Sequence, residues 1–362
     1  MRTEELVKIA KRRQLDMLLV RDQANVRAMT GINCDNAVLK VERVEKVERV
    51  EIYTDFRYVP MVHRLAPGLK CRDIRRLGIG NRKSGIKGEK RIGYESSVSH
   101  AQFLAWQKKF PRATFVDITK DLTAIRAVKT PEEIAGLRAA ETLNCDIWNA
   151  ARQKFKAGMT ERQMARIIQK MMIERGEGEA FDTIVCVGKN AAECHHEPDD
   201  TVWNGREPVL VDMGVKLNGF CSDLTRNVRP GECYHAEAQR RRGFRKSGLY
   251  WKVYDLVLKA NEAAIAAAKP GMTGKALDKV ARDVIKKGGF GKCFGHSLGH
   301  GVGYEIHEAP SASKKGEMVL KPGMLVTIEP GIYLEDNLGV RIEDLVLITE
   351  TGCEVLSATA AK

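Results

Sequence analysis

The chain predicts an α+β protein in two parts: a small α/β amino-terminal domain over residues 1–125 and a pseudo-twofold domain over residues 126–362. Three observations carry that expectation. Helix-like and strand-like segments alternate through the first third. Lys129-Thr130-Pro131-Glu132-Glu133 then marks a fresh helix start, with Thr130 as N-cap, Pro131 in the first turn and acids behind it. Beyond that start the sequence repeats itself. Lys156-Ala157-Gly158-Met159-Thr160 returns 113 residues later as Lys269-Pro270-Gly271-Met272-Thr273, and His195-His196-Glu197-Pro198 returns 111 to 112 residues later as His307-Glu308-Ala309-Pro310.

Taken in order, Glu4 to Lys11 reads as a helix, and Asp16 to Arg21, Ala37 to Val41 and Val50 to Tyr53 as strands. Val41 to Val50, VERVEKVERV, alternates valine with charge, the pattern of an extended hairpin with one wet face. Residues 118–133 read as a hinge, followed by an amphipathic helix from Ile134 to Phe155. Each Gly-Met-Thr copy opens a further helix, one ending near Arg175 and the other near Lys287.

The stretch from Glu207 to Pro230, EPVLVDMGVKLNGFCSDLTRNVRP, reads as a hairpin: an apolar strand at Val209 to Val211, turn residues Lys216 to Gly219, and a return strand from Phe220. Asp212 and Asp223 sit on its two arms, where facing side chains lie about 5 Å apart if both point to one face. The second copy supplies Leu325 to Gly331 and Gly339 to Asp344, carrying Glu329 and Glu343. Two carboxylates from each half converging near the symmetry axis repel one another unless protonated or bound to cations. An oxygen-rich site of this kind suits two hard or borderline divalent ions shared between carboxylates. Five of the eight histidines, at 195, 196, 296, 300 and 307, fall beside these acids, two of them in the glycine-rich string Gly295 to Gly303.

Composition narrows the alternatives. The formal charge of +13 is dispersed, with no basic motif interleaved with aromatics, so nucleic acid is not an expected partner. The basic run from Gln239 to Lys246, within segment 234–250 between the halves, reads as a solvated loop. Charges run through the first fifteen residues and no apolar run approaches a bilayer span, so the expectation is a cytoplasmic protein with no membrane partner. Nine cysteines without a CxxC pair suit a reducing compartment better than disulfides or structural zinc.

VDMG followed by SDLTR, HSLGHGVG followed by IHE, then IEPGIY and VRIED together resemble the pita-bread metallopeptidase family, in its branch of Xaa-Pro aminopeptidases and Xaa-Pro dipeptidases (prolidases). The amino-terminal part, with the KTPEE start, is similar to that branch's creatinase-type domain. The resemblance implies two divalent ions, manganese first with cobalt or zinc as alternatives, held by Asp212, Asp223, His300, Glu329 and Glu343. It selects His300 over His296 because the family's ligand precedes the catalytic histidine, here His307, by seven residues. It further implies a water acidified by both ions, Glu329 as proton carrier, and His307 and His195 steadying the carbonyl oxygen. Arg341 and His296 would stand behind the ligands.

The implied substrates are peptides with proline at the second position, and the implied assembly is a homodimer. Two features depart from the family pattern. Ser311 stands where some prolidases carry an arginine for a dipeptide's carboxylate, which favours the aminopeptidase reading, and the basic segment between the halves is longer than usual. Methionine aminopeptidase in its usual form lacks such an amino-terminal domain, creatinase works without metal, and non-catalytic relatives generally lose ligands that this chain keeps.

Overall fold

Met17-Leu18-Leu19-Val20 is buried on both faces, as the middle strand of a covered sheet must be, and as strand β1 it organises the first unit of the chain. In the computed structural model, which describes residues 1–44, 47–77, 90–230 and 248–362, two units separate: Met1–Arg126 and Ala127–Lys362. In the first, β2 (Ala37–Val44), β3 (Val47–Thr54), β4 (Lys70–Asp73), β5 (Lys90–Tyr94) and β6 (Ala113–Asp117) complete a mixed sheet in the order β4-β3-β2-β1-β5-β6. Helices α1 (Thr3–Arg12), α2 (Gln23–Thr30), α3 (Val59–Leu65), α4 (His100–Lys109) and α5 (Thr119–Ala127) connect and follow its strands.

The valine–charge alternation forms a hairpin, β2 against β3 from Ala37↔Thr54 to Val44↔Val47, while its central pair 45–46 lies outside the described residues. The segment expected as a hinge, 118–133, contains the division between the units at Arg126 and Ala127. Most of it is helix α5, because Ile118 and Leu122 are buried and their apolar spacing suits a helix better than an exposed linker.

The second unit starts as Thr130 caps α6 (Pro131–Ala151): its hydroxyl accepts from Glu133 N and the Glu133 side chain answers at Thr130 N, a capping box. The duplication is visible in space. Thr160 caps α7 (Glu161–Arg175) and bridges to Val202, and Gly158 takes the left-handed φ of 94°. After α8 (Leu249–Ala267), Thr273 caps α9 (Gly274–Lys287) and bridges to Val319, with Gly271 at φ 85°. Each half owns a core, one around Trp148, Met164, Val211 and Leu224, the other around Val257, Leu277, Val326 and Val346.

Each half also builds its hairpin in two tiers with a break between them. In the first, β7 (Ile184–Val187) lies beside β8 (Val209–Met213), which pairs with β11 (Leu224–Val228). The inner tier, β9 (Lys216–Leu217) with β10 (Phe220–Cys221), closes on Asn218-Gly219, both left-handed as a tight hairpin turn requires. The second half adds β12 (Gly299–Gly301) and β13 (Glu308–Ala312), then an outer tier of β14 (Leu325–Ile328) with β17 (Asp344–Ile348) and an inner tier of β15 (Gly331–Leu334) with β16 (Leu338–Arg341). β18 (Cys353–Val355) flanks β17. Segment 234–250, singled out for its charge, lies outside the described residues up to position 247.

Candidate metal centre

The break between tiers is where the acids collect. A residue just before the outer return strand has left one ladder without joining the next, so its side chain can turn inward. Asp223 stands immediately before β11 and Glu343 immediately before β17, in equivalent places. The other two acids are not equivalent. The outer ladders end on Met213↔Leu224 and Ile328↔Asp344, so Asp212 corresponds to Thr327 and Glu329 to Gly214. Gly214 has no room for a side chain, since a Cβ there would press on Ser222 O and the Phe181 ring. The picture of Asp212 facing Asp223 across the ladder is therefore corrected: Thr225 faces Asp212, and the two aspartates approach over the break instead.

All nine residues singled out from the sequence, His195, Asp212, Asp223, His296, His300, His307, Glu329, Arg341 and Glu343, line one cleft of about 570 Å³. Ligand atoms of Asp223, His300 and Glu343 lie within 4.8 Å of one another. His300 Nε2 is 3.5 Å from Asp223 Oδ2 and 3.5 Å from Glu329 Oε1. The neighbouring His307 packs edge-on against the His300 ring at 4.3 Å.

His296 is turned elsewhere: one ring nitrogen meets Tyr333 Oη at 2.9 Å and the other Ser297 O at 2.7 Å. His196 is likewise occupied, by Glu161 at 2.7 Å and Glu193 at 3.2 Å. His195 is the exposed member of that pair at the cleft.

Electrostatics set this site apart. Burial, then repulsion from Glu343, Asp212 and Glu329, lifts the Asp223 carboxyl well above the carboxylate range, and burial with repulsion from Glu329 and Asp212 does the same to Glu343. Glu329 is pushed up to about 8, chiefly by burial. Burial holds His300 and His296 down at about 4, so both imidazoles are neutral at physiological pH. Asp212 Oδ1 is buried with no hydrogen-bond partner among the described residues, although Oδ2 accepts from Arg341 Nη2 at 2.6 Å.

Several participants carried no signal of role in the sequence. Thr225 donates to Glu343 Oε2 at 2.8 Å and accepts from Arg341 Nε at 3.0 Å, and Tyr333 Oη accepts from Arg341 Nη1 at 2.8 Å. Both belong to quoted motifs, SDLTR and IEPGIY, but only the hairpin registers place them beside Arg341. Glu141 of α6, fully buried and raised to about 8 mainly by burial, accepts from Asp223 N. Glu343's backbone carbonyl, in turn, is held by the buried Arg226, which also pairs with Asp344. On the other wall, His300's strand β12 lies so close to β14 that a side-chain carbon at Gly299 would collide with the Thr327 carbonyl.

Comparison with known proteins decides the family. Residues 135–350 match the model of metallopeptidase family M24, and residues 2–128 match the creatinase/prolidase N-terminal domain. The chain belongs to metallopeptidase family M24. Among its relatives in that family, an Xaa-Pro dipeptidase of Pyrococcus furiosus is 39% identical over 76% of this chain and 75% of the relative. The M24 fold is equally plain in solved structures. The prolidase from Pyrococcus furiosus superposes with a TM-score of 0.83 at 32% identity, covering 97% of this chain and 98% of the other. The X-Pro aminopeptidase from Thermotoga maritima does so with 0.81 at 30% identity, covering 98% and 97%.

An M24 metallopeptidase implies divalent metal, and the side chains fit it. Three of the four carboxylates that meet here, Asp223, Glu329 and Glu343, are pushed above the carboxylate range, an imidazole is held neutral beside them, and a buried oxygen of Asp212 has no donor among the described residues. Cations would satisfy all three conditions at once. Among the described residues no helix is long and apolar enough to cross a membrane.

Proposed function

We propose that this chain is a dinuclear-metal peptidase that hydrolyses the amino-terminal Xaa-Pro bond of peptides, an Xaa-Pro aminopeptidase. The observation that carries the metal assignment is the convergence of Asp223, His300 and Glu343 within 4.8 Å, in a cleft that also holds Asp212 and Glu329. Asp212 would hold one ion, His300 and Glu329 the other, and Asp223 and Glu343 both. When bound, the ions supply Lewis acidity that acidifies water and polarises the peptide carbonyl. Manganese is the proposed resident ion, to be checked by metal analysis of the purified protein, and the proposed state is a cytoplasmic homodimer.

The chain's own groups do the rest. Glu329 takes the proton of the attacking water and delivers it to the departing proline nitrogen. His307 and His195, at the cleft, donate to the scissile carbonyl oxygen as charge builds on it. Arg341 holds Asp212 in place while Tyr333 and Thr225 hold Arg341. His296, neutral and bonded to Tyr333, extends that support.

The preference for peptides longer than two residues rests on charge. A dipeptide buries the carboxylate of its proline, which needs a cation. Among the described residues Arg341 is the only guanidinium or ammonium lining the cleft, and its three nitrogens are committed to Asp212, Tyr333 and Thr225. Ser311, also in the lining, offers only a hydroxyl, engaged with Ser313 at 3.0 Å. The second reading, an Xaa-Pro dipeptidase, is favoured by the name of the 39% identical relative.

Manganese-dependent release of the first residue from Ala-Pro, Ala-Pro-Ala and Met-Ala-Ala, each with a chelated control, tests both. Cleavage of Ala-Pro-Ala is expected. Cleavage of Ala-Pro alone would make the enzyme a dipeptidase, cleavage of Met-Ala-Ala alone would move it to the methionine branch, and no cleavage would favour a binding protein.

A further inference from the structure

Two buried asparagines repeat the symmetry of the site without belonging to its ligands. Asn144 lies in α6 and Asn261 in α8, the first helix of each half, and both side chains are 0% exposed. Asn144 Nδ2 donates to Met213 O at 3.0 Å, and Asn261 Nδ2 donates to Ile328 O at 3.0 Å. Met213 and Ile328 are the equivalent last residues of the outer strands, each paired with the first residue of its return strand.

The two asparagines thus hold matching peptide groups, one a residue beyond Asp212 and the other directly before Glu329. Asn261 reaches in addition to Ile342 O at 3.4 Å, directly before Glu343. The correspondence is hidden in the sequence. Asn144 precedes the capping Thr160 by 16 residues and Asn261 precedes Thr273 by 12. The difference of four is about one helical turn, which leaves both on the same face.

We infer that Asn144 and Asn261 are a matched pair of positioning residues for the metal centre, fixing from the two helices the backbone that sets the carboxylate spacing; this rests on the ligand assignment proposed above. At the end of each outer ladder, where the break begins, the carbonyl accepts from a buried helix side chain, which fixes that peptide group from outside the sheet. The donor comes from a helix packed in its own half's core, so each half locks its own acids before any ion arrives. Asn261 touches the peptides leading to two acids and Asn144 the peptide beside one, so Asn261 should matter more.

The test is titration of the metal-free full-length chain with manganese chloride by calorimetry, for the parent, Asn144→Leu and Asn261→Leu. Thermal melting with and without manganese accompanies each titration. Both leucine variants should bind manganese about tenfold or more weakly, Asn261→Leu the worse, in the range by which groups supporting metal ligands act. The rise in Tm on adding manganese should shrink in step.

A merely architectural role would lower the metal-free Tm while leaving the manganese affinity and the metal-induced rise unchanged, and that result would overturn the inference. If a leucine variant does not fold, Asn144→Ser and Asn261→Ser, which keep a hydroxyl and space for a bridging water, should weaken binding by a smaller factor. Parent-like affinity in both serine variants would overturn it equally. A parent that takes up no manganese would remove the ligand assignment and this inference together, whereas a parent that binds beside variants that match it removes the inference alone.

Discussion

Two clusters of acid and imidazole in the second unit meet the same spacing and differ in everything that follows from it. Glu161, His196 and Asp199 bring ligand atoms within 4.8 Å of one another, as do Asp223, His300 and Glu343. In the first cluster the carboxylate is answered by four donors: Val187 N at 2.6 Å, Asn190 Nδ2 at 2.9 Å, His196 Nε2 at 2.7 Å and Asp199 N at 3.1 Å. In the second, burial and neighbouring acids push the carboxyl groups up, and His300 is held neutral. Residue type and distance therefore do not make a metal site. The supply of N–H donors decides, and a cation is called for only where those donors are missing.

The two clusters differ most at Asp223. Asp223→Asn should lower kcat about a thousandfold or more with the fold intact by circular dichroism, because it removes the proposed shared ligand while relieving repulsion. Near-parent rates would mean that the metal lies elsewhere. His300→Ala should weaken manganese binding about a hundredfold in a calorimetric titration, and His296→Ala much less, because losing a ligand costs more than losing a supporting group. The reverse ranking would show that the imidazoles had been assigned the wrong way round.

Acidity sharpens the contrast. Glu329 is raised to about 8, and Asp223 and Glu343 are raised as well, so the native metal-free protein keeps protons that the unfolded chain has lost. Stability from these groups is present at low pH and lost as pH rises through their native values. His296 and His300, held at about 4, act oppositely but only below about pH 6.5. Between about pH 6.5 and 8.5 the Tm of the metal-free protein should therefore fall, and the gain on adding manganese should grow. A flat profile would deny the protonated state of the acids.

The smallest effect is expected in the satisfied cluster. Glu161→Gln leaves donors facing an amide and should cost about 2 kcal/mol in urea unfolding, with manganese affinity within a factor of about two of the parent. A large loss of affinity there would tie the two clusters together.

Much of this is legible in the sequence. The paired Gly-Met-Thr helix starts, the N-cap at Thr130 and the acids of both hairpins follow from local chemistry, and the histidines cluster where the repeat places them. What escaped depends on register. A break in a ladder changes which face each residue presents, so the facing of Asp212 by Thr225, and the roles of Thr225 and Tyr333, could not be counted off a hairpin assumed continuous. The asparagine pair escaped because one helix carries an extra turn before its motif. The helix within the segment read as a hinge escaped for a plainer reason: Leu122, with Ile118 buried just before the first turn, anchors it as α5 at the end of the first unit.

The contact of Gly299 with the Thr327 carbonyl has a consequence for how such a protein can change. The strand that carries His300 rests against its neighbour without even a methyl group between them, so any side chain at that glycine must move one strand off the other, and the imidazole with it. Natural drift or laboratory selection can rework the exposed lip of the cleft, around Ser311, one residue at a time. The floor under His300 offers no such gradual route, and new specificities should arise at the rim while this strand pair stays as it is.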